Sequence, residues 1–99
     1  MKSNNNILVI ATEENQKTLN IFEFVTPNCT GVLVTEFSCD MGAQLISWVK
    51  TLCDCKLVVT TGEWSENQHL FSLVNIARSL QIIVIHESNF QKYVEQHNN

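Results

Sequence analysis

Cys-Lys-Leu-Val-Val-Thr-Thr-Gly-Glu-Trp-Ser-Glu-Asn, residues 55–67, is the stretch on which the fold turns. From Leu57 to Val59 the chain is apolar on consecutive positions rather than alternating. That pattern suits a strand over residues 56–60 covered on both faces, as in a parallel sheet with helices on each side. Gly62 permits a tight exit from the strand or a positive φ. Ser65 or Asn67 can cap a following helix. On that helix Leu70, Leu73, Val74 and Ala77 recur at i, i+3, i+4 and i+7, joined by Ile76 and Leu80.

Working outward, residues 7–11, 31–35 and 82–85 repeat the short, continuous apolar signature and read as three further strands. Leu45, Trp48, Val49 and Leu52 mark a helix, with Ser38 or Asp40 as its N-cap. A last helix over residues 89–96 turns Phe90, Tyr93 and Val94 inward. Residues 16–25 are ambiguous: Leu19, Phe22 and Val25 fit a helix, whereas Ile21, Phe22, Phe24 and Val25 fit a strand. Topology selects the helix, because parallel neighbours need a crossover between them. The order is β-α-β-α-β-α-β-α. It predicts one α/β domain over residues 1–99, a three-layer α/β/α arrangement around a four-stranded, mainly parallel, flavodoxin- or Rossmann-like sheet.

Composition bounds the function. The 99 residues are 44% hydrophobic and 16% charged, enough apolar material for one core. Only six Lys and Arg set against ten Asp and Glu give a net charge of -4. No basic stripe is present, so nucleic acid is not an expected partner. No apolar run reaches the ~18 residues of a spanning helix, and the run at residues 7–10 is too short for a secretory leader. The expectation is a cytoplasmic protein without a membrane partner. Cys29, Cys39, Cys53 and Cys55 lack metal or redox spacing and read as free, mostly buried thiols. No metal or cofactor is called for.

In doubly wound sheets ligands sit at the carboxyl ends of the strands, near the point where strand order reverses. That rule selects residues 11–15, 35–38 and 60–68. Within them Thr12, Glu13, Thr61, Gly62, Glu63, Trp64 and Asn67 are the candidate ligand-binding residues. Trp64 in a loop must either lid a pocket or pack beneath the loop. The N–H groups opening the helix after Asn67 suit an anion, but Glu63 and Glu66 would oppose one. Those two glutamates are the only candidates for an acid/base pair, which needs one of the two buried. His69 reads as a surface residue. His86, followed by Glu87, either contacts a ligand from the sheet edge or ends the strand. Asp40-Met41-Gly42 is an N-cap or a polar ligand contact.

Residues 45–86 resemble the short members of the nucleoside 2-deoxyribosyltransferase-like superfamily. The shared features are the approach Leu52-Cys53-Asp54-Cys55-Lys56-Leu57-Val58-Val59, the turn Gly62-Glu63-Trp64, Ala77 thirteen residues after the Trp, Leu80, and the strand that follows. The resemblance implies a nucleoside- or nucleotide-like ligand and pairing of protomers through helices. It also implies an attacking Glu nine residues after the Trp. Leu73 stands there, and a leucine cannot serve as nucleophile. Asn67, His69 and Leu70 replace the small residues of the family's sugar site, and Ala11-Thr12-Glu13-Glu14-Asn15 replaces its Gly-rich first loop.

The expected function is therefore a non-catalytic binding domain for a nucleotide-like small molecule or a protein partner, of the size of a phage or mobile-element regulator or inhibitor. One alternative is a nucleoside or nucleotide N-glycosidase or deoxyribosyltransferase with relocated carboxylates. Another is a ligand-free, homo-oligomeric assembly protein, for which any of Phe22, Phe24, Trp48, Phe71 and Phe90 left outside the core would supply the contact face.

Overall fold

The computed structural model describes residues 5–27, 29–36 and 41–97. Four strands, β1 (Asn6–Ile10), β2 (Gly31–Val34), β3 (Cys55–Thr60) and β4 (Ile83–His86), form one all-parallel sheet in the order β2-β1-β3-β4. Helices α1 (Glu13–Gln16), α2 (Met41–Leu52), α3 (Gln68–Ser79) and α4 (Phe90–His97) complete the α/β architecture.

Residues 7–10 of β1 and 57–59 of β3 are continuously apolar because both faces of these two central strands are covered. Leu8, Ile10 and Val58 pack on one side with Leu52 of α2 and with Leu70, Leu73, Val74 and Ala77 of α3. Ile7, Val9, Leu57 and Val59 pack on the other with Phe24 and Phe90. Leu45 and Trp48 close over the first cluster, and Tyr93 and Val94 of α4 over the second. The pairing of β1 with β3 runs from Ile7↔Leu57 to Ile10↔Thr60, with an irregularity below Ile7 that leaves Lys56 without a partner on β1.

The edge strands differ from the sequence expectation of four fully buried strands. β2 is half-buried throughout, and Ile83 of β4 is 48% exposed. An edge strand has only one strand neighbour, so its side chains are covered less completely than those of β1 and β3.

That connection is also where the predicted helix over residues 16–25 fails. The chain instead makes the four-residue α1 and a separate 3-10 turn, Ile21–Phe24. Leu19 and Phe24 both pack into the second cluster. On one continuous α-helix they would point about 140° apart. The break brings both to the sheet. Asn20 starts the new turn, its side-chain oxygen accepting the Phe22 N–H at 3.1 Å.

α3 begins and ends on identifiable caps. Asn67 Oδ1 accepts the N–H groups of His69 (3.0 Å) and Leu70 (3.1 Å). At the other end Gln81 takes φ 64°, and the Ile82 N–H returns to the Ala77 carbonyl at 3.1 Å. This is a Schellman closure with glutamine in the left-handed position usually held by glycine. Ser38 and Asp40, the expected caps of α2, lie outside the described residues.

Of the aromatic residues expected at a contact face, Phe24 and Phe90 are buried and meet edge to face at 5.1 Å. Trp48 is half-buried, and Phe22 and Phe71 are exposed. The thiols divide similarly: Cys55 is buried, Cys29 half-buried and Cys53 exposed, which corrects the expectation for Cys53. Cys39 lies outside the described residues.

Candidate functional site

The strand order reverses between β1 and β3, so the segments leaving these two strands diverge and open a crevice between them. Their starting points are fixed by threonines. Thr35, fully buried after β2, accepts the Ala11 N–H at 3.1 Å and donates to the Ala11 carbonyl at 2.9 Å through the same hydroxyl. Gln16 Nε2 adds bonds to the Ala11 carbonyl (3.3 Å) and to the Thr35 carbonyl. On the other side, both the N–H and the hydroxyl of Thr61 donate to the Ile10 carbonyl, each at 3.0 Å. The buried polar groups at the strand ends are thereby satisfied.

Above this stitching lies a cavity of about 850 Å3. Thr12, Glu13, Glu14, Asn15 and Lys17 form the wall on the α1 side, with Thr12 Oγ1 capping α1 by accepting the Asn15 N–H at 3.1 Å. Gly62, Glu63, Glu66 and Asn67 form the facing wall. Gly62 has φ 52°, and a Cβ on it would overlap the Asn15 side-chain amide, with Asn15 Cγ at 3.1 Å. Glycine takes this φ without strain and leaves room for the Asn15 side chain between the two walls.

Five of the seven candidate ligand residues, Thr12, Glu13, Gly62, Glu63 and Asn67, therefore line one cavity, together with the acid/base candidate Glu66. Two do not. Thr61 is 2% exposed; with its hydroxyl bonded to β1, it borders a smaller space of about 140 Å3 beside Asn15 and Glu87. Trp64 takes the second of the options open to a loop tryptophan. It stacks on Phe71 (centroids 6.1 Å, planes 17° apart) and packs against the α2–α3 side of the core rather than lidding the cavity.

Asn15, Glu14 and Lys17 also line the cavity. The first two fall within the strand-end stretch selected from the sequence, but only the approach to Gly62 singles out Asn15. Lys17 was hidden by the expectation of a helix starting at Gln16. His69 is exposed, as expected. Asp40 lies outside the described residues.

The cavity is strongly acidic: four carboxylates, Glu13, Glu14, Glu63 and Glu66, face one ammonium, Lys17. The N-terminus of α3 offers no free donors to an anion at His69 and Leu70, because Asn67 already accepts both N–H groups. A phosphate would meet like charge here, whereas hydroxyl and amino groups would find acceptors. All four carboxylates are exposed. Among the described residues, no three His, Cys, Asp or Glu are grouped to hold a metal ion, and no helix is long and apolar enough to cross a membrane.

Leu73 has no part in the cavity. It is 0% exposed and sits in the core with Leu8, Ile10, Val58, Leu70, Val74 and Ala77. A loss of catalysis read from the leucine at this position therefore has no footing, because the side chain points away from the place where a substrate would lie. Comparison of the chain with family models, with curated proteins and with solved structures finds no match.

Proposed function

We propose that this chain is a non-catalytic binding domain on a nucleoside deoxyribosyltransferase-like framework, and that its cavity takes a nucleoside-like molecule in preference to a phosphorylated one. The observation that carries the reading is the cavity of about 850 Å3 at the reversal of strand order, walled by Thr12, Glu13 and Asn15 on one side and by Gly62, Glu63 and Asn67 on the other. Its surplus of carboxylates suits ribose hydroxyls and base amino groups and opposes phosphate. The framework half of the proposal draws support from the exit of α3. The proteins that residues 45–86 resemble carry Leu-Gly before the next strand; here Leu80 is followed by Gln81, at a left-handed φ of 64° of the kind a glycine fills. The non-catalytic half rests on exposure. A division of labour between two carboxylates needs one withdrawn from water, and both Glu63 and Glu66 are exposed.

Thermal shift and calorimetry with a panel of nucleosides and their monophosphates test the reading. At ten times Kd, binding to the native state adds about 1.4 kcal/mol. In a domain of this size that raises Tm by roughly 6–11 °C. The monophosphates should bind more weakly than the nucleosides. No shift with any nucleoside would sink the proposal. Base release that disappears in Glu63→Gln or Glu66→Gln would replace it with the glycosidase alternative. The exposed row Ile21, Phe22 and Val25 favours a protein partner or a second copy as a further occupant of the surface. Sedimentation of the parent beside Phe22→Ser tests that separately.

A further inference from the structure

The loop after β3 has to be held in place for the cavity to keep its shape, and nothing within the loop does so at Gly62. The residue has no side chain, and its N–H and carbonyl both meet side chains at the neighbouring strand end. The β3–β4 ladder stops at Thr60↔His86. Beyond that point two consecutive side chains take over from backbone pairing. Glu87 accepts the Gly62 N–H at 2.7 Å, and His86 Nε2 lies 3.2 Å from the Gly62 carbonyl. A carbonyl can only accept, so Nε2 carries the proton. On the opposite edge of the ring, Nδ1 accepts the Ser88 N–H at 3.2 Å, with Ser88 Oγ at 3.0 Å. The imidazole is thus fixed in tautomer and orientation by its own 3-10 turn, Glu87–Asn89, before it reaches the loop. The Asn15 amide occupies the place where a Cβ on Gly62 would project.

We infer that His86 and Glu87 are positioning residues for the cavity: they line none of it, yet they set its affinity by clamping the peptide of Gly62 against Asn15. The inference rests on reading this cavity as the binding site. Its mechanism is preorganisation. A charge-assisted bond accepted by the Glu87 carboxylate and an oriented bond donated by His86 keep the wall bearing Glu63 in its binding position, so that ligand binding need not order it. Glu87→Gln retains an acceptor oxygen for the Gly62 N–H, whereas Glu87→Ala removes it.

The test uses the full chain and two readouts. Amide hydrogen exchange of Gly62, measured by NMR against Val58 and Val59 as internal references, should accelerate about ten-fold or more in Glu87→Ala and stay near the parent in Glu87→Gln. Affinity for adenosine and for deoxycytidine should fall about ten-fold in Glu87→Ala and in His86→Ala, while the urea midpoint moves little, and should recover in Glu87→Gln. Unchanged Gly62 exchange in Glu87→Ala overturns the inference. An equal loss of affinity in Glu87→Gln also overturns it, since Glu87 would then be touching the ligand through its charge. Should neither nucleoside bind the parent, the binding reading fails on its own, and the exchange comparison still decides whether the clamp exists.

Discussion

Replacing Leu73 by glutamate puts back the side chain that the family resemblance calls for, and the structure states what it would cost. Leu73 is fully buried between α3 and the sheet, in contact distance of a cluster that includes Leu8, Ile10, Val58, Leu70 and Val74. Truncation to alanine removes buried methyl groups and leaves a void, a change that costs about 2–5 kcal/mol in well-packed cores. With a central value of about 3 kcal/mol and a urea slope of about 1.5 kcal/mol per M, the Leu73→Ala midpoint falls by about 2 M. Glutamate loses the same apolar contacts and adds an ionisable group with no partner, a further several kcal/mol. The total reaches the ~5–15 kcal/mol that holds a typical domain together. Leu73→Glu should therefore be unfolded, or nearly so, at neutral pH. Leu73→Met, which conserves volume, should lose less than about 1.5 kcal/mol. Trp48 and Trp64 both pack on this cluster, so their fluorescence during urea titration reports its loss. A Leu73→Glu protein that folds with its midpoint within about 0.5 M of the parent would refute the reasoning. The side chain would then be reaching water through the cavity, and assays of base release from nucleosides would become the next measurement.

The two residues at positive φ among the described residues, Gly62 and Gln81, should respond in opposite directions. Gly62→Ala meets the Asn15 amide and an unfavourable backbone region, so it should lose about 1–3 kcal/mol in urea unfolding, with part of the loss recovered in the double variant with Asn15→Ala. Gln81→Gly relieves the left-handed strain at the end of α3 and should gain up to about 1 kcal/mol, read as a rise in Tm. Thr35→Val keeps shape but removes the hydroxyl that pairs with both peptide groups of Ala11; leaving that buried N–H unmatched should cost about 1–3 kcal/mol by the same urea assay. Burial, reinforced by Asp54 and then Cys53, pushes the Cys55 thiol up from 9.0 to about 11, and its S–H donates to the Thr51 carbonyl at 3.3 Å. Brief iodoacetamide treatment at pH 8 should therefore modify the exposed Cys53 well ahead of Cys55, as read by fragmentation of the peptide that holds both. The same shift means the unfolded chain releases the Cys55 proton first, so its contribution to stability is whole below pH 9 and is lost as pH rises toward 11.

The central part of the fold is legible in the residues because each cue there is local. Consecutive apolar positions at Leu57, Val58 and Val59 mean two covered faces. The spacing of Leu70, Leu73, Val74 and Ala77 means one helical stripe, and Asn67 caps the helix it was expected to cap. With the same cues in the other strands the parallel sheet follows, and the carboxyl-end rule then selects Thr12, Glu13, Thr61, Gly62, Glu63, Trp64 and Asn67, of which all but Thr61 and Trp64 line the crevice. What local cues could not reach is where a side chain goes when two destinations suit its chemistry equally. Trp64 could lid or pack, and the stack on Phe71 decided it. Residues 16–25 could be one helix, until Leu19 and Phe24 both had to meet the sheet.

Sequence by itself determined the layers of this protein, because burial periodicity is a property of short segments. Periodicity had already put Leu73 on the core stripe, against the resemblance that put it at the crevice; tertiary structure decided between the two, and alone decided that Lys17 stands in the acidic wall, that Asn15 meets Gly62, and that His86 and Glu87 hold Gly62. Each of these depends on which segments meet at the sheet edge, and on bonds between residues some two dozen positions apart. No periodicity within a segment encodes such pairings.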